Sequence, residues 1–159
     1  MAVAITSISA TYLPKLRFIG KRCMCEPKDF VAAWDEWLAE GLFTRLEKLG
    51  VAPENGDSYL GMTAESGGSY WIGLLFPPDT QAPDGFEYED IAASRYALIS
   101  LEGKKDGELL NENGAALCFK EMEKRGLTHN AEGQDFEHYK RPSPDGKGRT
   151  LIKCLFAIR

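Results

Sequence analysis

The chain has 159 residues, of which 43% are hydrophobic and 27% charged, and carries a net charge of −5 at pH 7. A chain of this length and composition buries a core of its own, which excludes the disordered and fibrous classes. Its acidic balance disfavours sequence-independent binding to nucleic acid, where each phosphate contact would have to be made against the overall field, and suits a cationic ligand instead.

The N-terminal "MAVAITSISATYLPKLRF" lacks the basic n-region and compact apolar run of a signal peptide. No stretch approaches the roughly 20 apolar residues of a membrane span. The expectation is a soluble cytoplasmic protein. "LRFIGKRCMC" (16–25) has strand character, and Pro27 is suited to the first turn of a helix, where its missing N–H costs nothing. Along 27–50, Phe30, Trp34, Trp37, Leu38, Leu42, Leu46 and Leu49 recur at helical spacing, and Gly50 is a natural stop. "DSYLGMTAE" (57–65) and "SYWIGLLF" (69–76) are two strands joined by "SGG", a hairpin signal. "PPDTQAPDGFEYEDIAA" is rich in proline and is expected to be a linker with one short strand.

The second half repeats the order. "SRYALISLEGK" (94–104) is strand-like, and Ala115, Cys118, Phe119 and Met122 recur at helical spacing. "DFEHYKR" (135–141) and "RTLIKCLFAIR" (149–159) are strands joined by turn-forming residues. The two helices end alike, "LEKLGV" at 46–51 and "MEKRGL" at 122–127. The pattern predicts an α+β domain over 1–159 built by internal duplication of a strand–helix–strand–strand unit. Its halves lie at about 14–78 and 93–159, joined by the linker at about 79–92, with antiparallel sheets, two main helices and a central groove. Nothing in the strand pattern fixes an oligomeric state.

Ligand sites favour such joints. In "SYWIGLLF", Trp71 and Gly73 share one strand face while Tyr70 and Ile72 share the other; in "DFEHYKR", Glu137 and Tyr139 share a face opposite Phe136 and His138. An acid beside a large aromatic is unlike a purely apolar core face, although a strand carboxylate is commonly solvated and an aromatic in a short strand is commonly core. Cys23 and Cys25 form C-x-C rather than the C-x-x-C of zinc or redox motifs, and with Cys118 and Cys154 are expected to be free thiols of a reducing compartment. With only His129 and His138 to add, the sequence suggests neither a metal site nor a cofactor.

"YWIGLLFPPDTQAPDGFEYEDIAASRYAL", followed by a helix and then "DFEHYKRPSPDGKGRTLIKCLFAI", resembles the bacterial GyrI-like small-molecule-binding domains over about residues 14–158. The more specific parts are the aromatic-Trp-Ile-Gly strand with its "P-x-x-T-x-x-P-x-G-F" exit, and the Phe-Glu-x-Tyr strand. "AWDEWLAEGLFTRLE" fits as well. The resemblance implies an effector-binding or stand-alone domain whose multidrug-type aromatic pocket takes amphipathic, often cationic aromatic molecules. Glu137 is then the pocket acid, with Tyr139, Trp71, Tyr96, Trp37 and Tyr70 as its aromatic surroundings. No DNA-binding segment precedes residue 14, so the expected role is to sequester or sense a compound without binding nucleic acid or membrane. The pattern is closest to a branch that includes hydrolases of cyclopropane-bearing DNA-alkylating natural products. That leaves an alternative in which Glu137 activates a water to open a strained ring. A third reading is a protein-interaction module, since some relatives are associated with protection of DNA gyrase.

Overall fold

In the computed structural model, residues 4–24, 26, 29–64, 68–102, 112–141 and 150–159 are described. Among these residues, alternating segments become eight strands, β1 (Ala4–Leu13), β2 (Leu16–Cys23), β3 (Ser58–Ala64), β4 (Ser69–Phe76), β5 (Glu87–Ile91), β6 (Ser94–Glu102), β7 (Asp135–Lys140) and β8 (Thr150–Ala157). They form one antiparallel sheet in the order β1-β6-β8-β7-β3-β4-β2-β5, where several sheets were expected. Exchanging β1–β4 with β5–β8 reproduces the order from the opposite edge. Each run of four strands therefore lends its first strand to the other, β1 and β5 both lying outside the halves expected from the sequence, and this topological symmetry does not by itself establish a duplicated sequence.

Among the described residues, three α-helices accompany the sheet: α1 (Phe30–Ala39), α2 (Leu42–Glu47) and α3 (Glu112–Lys124). The expected long helix over 27–50 is broken because Gly41 adopts a left-handed φ of 66° between α1 and α2, a conformation that glycine enters without Cβ strain. Trp34 and Trp37 of α1 and Leu42, Phe43 and Leu46 of α2 still bury a continuous apolar stripe. The matched helix ends have a shared geometry: Gly50 (φ 81°) and Gly126 (φ 72°) are both left-handed stops. After α3, the Leu127 and Gly126 amides close back on the Met122 and Glu123 carbonyls. Pro27, the expected helix opener, and Cys25 lie outside the described residues. Among the described residues no helix is long and apolar enough to cross a membrane.

Register divides the sheet into two faces. Tyr59, Gly61 and Thr63 of β3 share a face with Tyr70 and Ile72 of β4 and with Glu137 and Tyr139 of β7. Trp34 packs on Tyr139 and Phe43 stacks on Tyr59, so α1 and α2 cover this face. The opposite face carries Phe18, Leu60, Met62, Trp71, Phe136 and Tyr96. Strands lie about 4.8 Å apart, so β2 and β7, with two strands between them, are separated by roughly 14 Å in a flat sheet. Yet the Phe18 and Phe136 ring centres are only 6.2 Å apart, with Trp71 6.3 Å from Phe18 and Tyr96 5.9 Å from Phe136. The sheet is curled towards this aromatic cluster.

Gly20 and Gly73 stand opposite each other in β2 and β4, and a Cβ on either would run into the partner strand's backbone. Their missing side chains permit the close approach. Asn55, 1% exposed, fastens the chain after α2: its Nδ2 donates to the Ala52 and Leu75 carbonyls at 2.8 and 2.7 Å, and its Oδ1 accepts the Leu75 amide at 2.8 Å. Gly20→Ala is expected to cost about 3 kcal/mol in urea unfolding, the upper end for overpacking, because the obstacle is backbone rather than a side chain able to turn away.

His138 is buried on the concave side, its Nδ1 without a hydrogen-bond partner. Burial, helped by Lys153 opposite it, pushes its pKa down to about 3. Below the unfolded-state value of about 6.5, the unfolded chain takes up a proton that the folded chain refuses. Stability is therefore complete above pH 6.5 and declines as pH falls towards 3, with a contribution approaching about 1.4 kcal/mol per pH unit. Urea midpoints of His138→Phe, measured between pH 7 and pH 4, should fall less steeply than those of the parent; equal slopes would assign the acid sensitivity elsewhere.

Candidate functional site

The helical spacing of Phe30, Trp34 and Trp37 directs three rings from α1 onto the covered face of the sheet. Phe30 lies flat on Tyr70, with ring centres 4.0 Å apart and planes 14° apart. Trp34 meets Tyr139 edge-on at 4.9 Å, and Phe43 stacks on Tyr59 at 3.8 Å. Pairs of this kind are each worth about 0.5–1.5 kcal/mol beyond the area they bury. Together they build an aromatic layer between helix and sheet.

Two carboxylates meet this layer: Glu47 accepts from the Tyr59 hydroxyl at 3.1 Å, and Glu137 stands beside Tyr70. The Trp34 Nε1–H donates to the Tyr70 hydroxyl at 3.0 Å, and that hydroxyl donates to Glu137 Oε1 at 2.7 Å. Indole can only donate, so the direction of the chain is fixed: Trp34 gives to Tyr70, and Tyr70 gives to Glu137. Burial first, then the Glu137 charge, raises the Tyr70 phenol well above its ordinary value, so it stays protonated and remains a donor. Gly61 lies beneath both groups, where a Cβ would collide with the Tyr70 hydroxyl and sit within 2.8 Å of Glu137 Oε1. The glycine makes the room in which the two polar atoms meet.

Glu137 itself is half-buried, in contrast to the wholly buried Tyr139 two residues away. The Cys154 thiol stands opposite Glu137 in β8, raised well above its usual pKa by burial and then by the Glu137 charge. Cys118 is pushed up to about 11 by burial. Both are free thiols in their protonated form, poor nucleophiles in this setting. Among the described residues no group of three or more His, Cys, Asp or Glu is placed to hold a metal ion. An open pocket of about 290 Å³, lined by Arg22, Cys23, Met24, Glu26 and Gly68, lies where β2 ends, and Cys23 there is paired with Tyr70.

Of the six residues singled out in the sequence, Glu137, Tyr139 and Tyr70 come together on the helix-covered face. Trp37 belongs to the neighbouring layer, against Phe43 at 4.8 Å and Phe86 at 6.0 Å. Trp71 and Tyr96 point to the concave side, in the cluster with Phe18 and Phe136. Tyr70, rather than its neighbour Trp71, is the strand aromatic that touches the acid. Trp34 and Gly61, which complete this arrangement, are not among those six residues. Trp34 had a signal in its position one turn from Phe30, and Gly61 in being an unexplained glycine inside a strand.

The profile of the GyrI-like small molecule binding domain matches residues 6–154. Among solved structures, SAV2435 bound to tetraphenylphosphonium superposes with a TM-score of 0.67 at 14% identity, covering 97% of this chain and 94% of that one. The integron cassette protein VCH_CASS2 of Vibrio cholerae gives 0.54 at 13% identity over 99% of both chains. EcmrR, in a complex with DNA, gives 0.63 at 12% identity, covering 96% of this chain but 57% of its own. At these identities the likeness is one of fold, and a comparison with curated protein sequences finds no match. The profile spans nearly the whole sequence, and the chain belongs to the GyrI-like family of small-molecule-binding domains.

Proposed function

We propose that the chain binds amphipathic cations, aromatic ones foremost, at Glu137, and so sequesters or senses them. The observation that carries this reading is the half-buried carboxylate set among aromatic rings and held in place by the Trp34–Tyr70 chain. A flat or multi-ring cation gains roughly 0.5–2 kcal/mol from each ring face it meets. It also brings the charge that makes a partly desolvated carboxylate tolerable. Ring faces select shape and charge rather than one compound, which suits a permissive site. Tetraphenylphosphonium, the ligand of SAV2435, is such a cation. Glu137 makes the first contact in this reading, with Tyr70 and Tyr139 as the rings beside it; Trp37 backs the aromatic layer, and Trp71 and Tyr96 support the sheet from its concave side.

Tryptophan fluorescence titrated with tetraphenylphosphonium tests the proposal. Saturable quenching is expected, with the ligand recovered at unchanged mass. Glu137→Gln should weaken binding at least about tenfold, equivalent to about 1.4 kcal/mol, while leaving a neutral analogue such as triphenylphosphine oxide unaffected. Equal affinities of parent and variant for the cation would remove the carboxylate from the site.

Tyr70→Phe keeps the ring under Phe30 but deletes the link between Trp34 and Glu137. Losing a hydrogen bond to a charged group is expected to cost about 1.5–3 kcal/mol, and cation affinity should fall correspondingly by about ten- to hundredfold. Unchanged affinity in a well-folded Tyr70→Phe protein would show that the carboxylate needs no such support.

A further inference from the structure

The two edges of the sheet are built differently. β5 is short, and three of its five residues, Glu87, Glu89 and Asp90, are acidic. Arg17 lies across it, paired with Asp90 at 2.7 Å and 4.0 Å above the Tyr88 ring. Charge and short length are the usual protection of an exposed edge. β1 has neither. Its ten residues, AITSISATYL, include no charge, proline or glycine, and among the described residues no strand lies on its outer side.

We propose that the outer edge of β1 pairs antiparallel with β1 of a second copy about a two-fold axis, forming a sheet continuous across a dimer. The register with β6 sorts the strand by face. Ile5, Ile8, Ala10 and Tyr12 lie opposite Leu101, Ile99, Ala97 and Arg95, while Ser7, Ser9 and Thr11 lie opposite Ser100, Leu98 and Tyr96. Two copies paired so that their faces agree set aliphatic against aliphatic and hydroxyl against hydroxyl, both favourable cross-strand pairs. The single irregularity, between Ile5 and Ser7, is confined to one end and leaves seven regular residues.

Charge selects the occupant. Two copies each carrying −5 repel, and β1 is an edge at which they can meet without opposing carboxylates. β5 against β5 would set acidic strands side by side. β1 against β5 would join unlike patches head to tail, an arrangement that need not close. Pairing β1 with itself closes after two copies. A strand pair alone buries less than the roughly 1,200 Å² of a standard interface, so the dimer is weak and concentration-dependent.

Sedimentation equilibrium of the full chain from micromolar to millimolar concentration tests this. Reversible dimerisation is expected. Ala10→Lys, at an exposed β1 position, should raise the dissociation constant at least tenfold while leaving circular dichroism and the melting temperature unchanged. Tyr88→Glu on β5 should leave the dimer intact. A parent protein that stays monomeric at millimolar concentration would overturn the proposal. So would a dimer indifferent to Ala10→Lys, dissociated instead by Tyr88→Glu, or growing into larger species.

Discussion

The contact of β2 with β4 at Gly20 and Gly73 is the constraint on which the rest depends. All eight residues of β4 are buried, because helices cover one face of the strand and the curled sheet closes over the other. In such a strand, side-chain parity has no tolerance: a one-residue slip would exchange Tyr70 with Trp71 and present the acid with the wrong ring. The glycine pair admits one register and lets the two backbones approach closely enough for the sheet to curl. The curl gathers the concave aromatics into a core, freeing the helix-covered face to hold a charged group.

That charged group survives because its surroundings are arranged around it. A carboxylate among rings would be expensive if none of its lone pairs were met. Here one oxygen receives a phenol that burial keeps protonated, and that phenol is aimed by an indole. Two rings that contribute apolar area therefore also carry the only polar handles their chemistry allows. Gly61 is as much a part of this arrangement as the groups that touch, since it defines the volume they share.

Much of this was legible in the residues. Period-two alternation placed Glu137 with Tyr139 and separated Tyr70 from Trp71, and the sheet keeps both relations. The matched helix ends turned out to be left-handed glycine stops of the same kind. Which of the two faces of β4 met the helices was not legible, because both neighbours are aromatic and both faces are buried; only the packing of α1 decides it. The break at Gly41 was hidden because the apolar stripe runs through it without interruption. β1 is less legible because the adjacent Thr6 and Ser7 interrupt its alternation and small residues fill most of its positions.

The exchange of first strands between halves also bears on how the chain comes to be folded. β1 is synthesised first, yet its partner is β6; Thr6 bonds a carbonyl at Ser100, 94 residues away. Likewise β2 acquires one neighbour, β5, from the proline-rich segment expected to be a linker. No half can complete its sheet while emerging from a ribosome, and loop closure over such separations makes folding slow and late. Until β6 arrives, a neutral ten-residue strand waits unpaired. The contacts of this chain thus span longer loops than its length alone would require, the topology associated with slow folding.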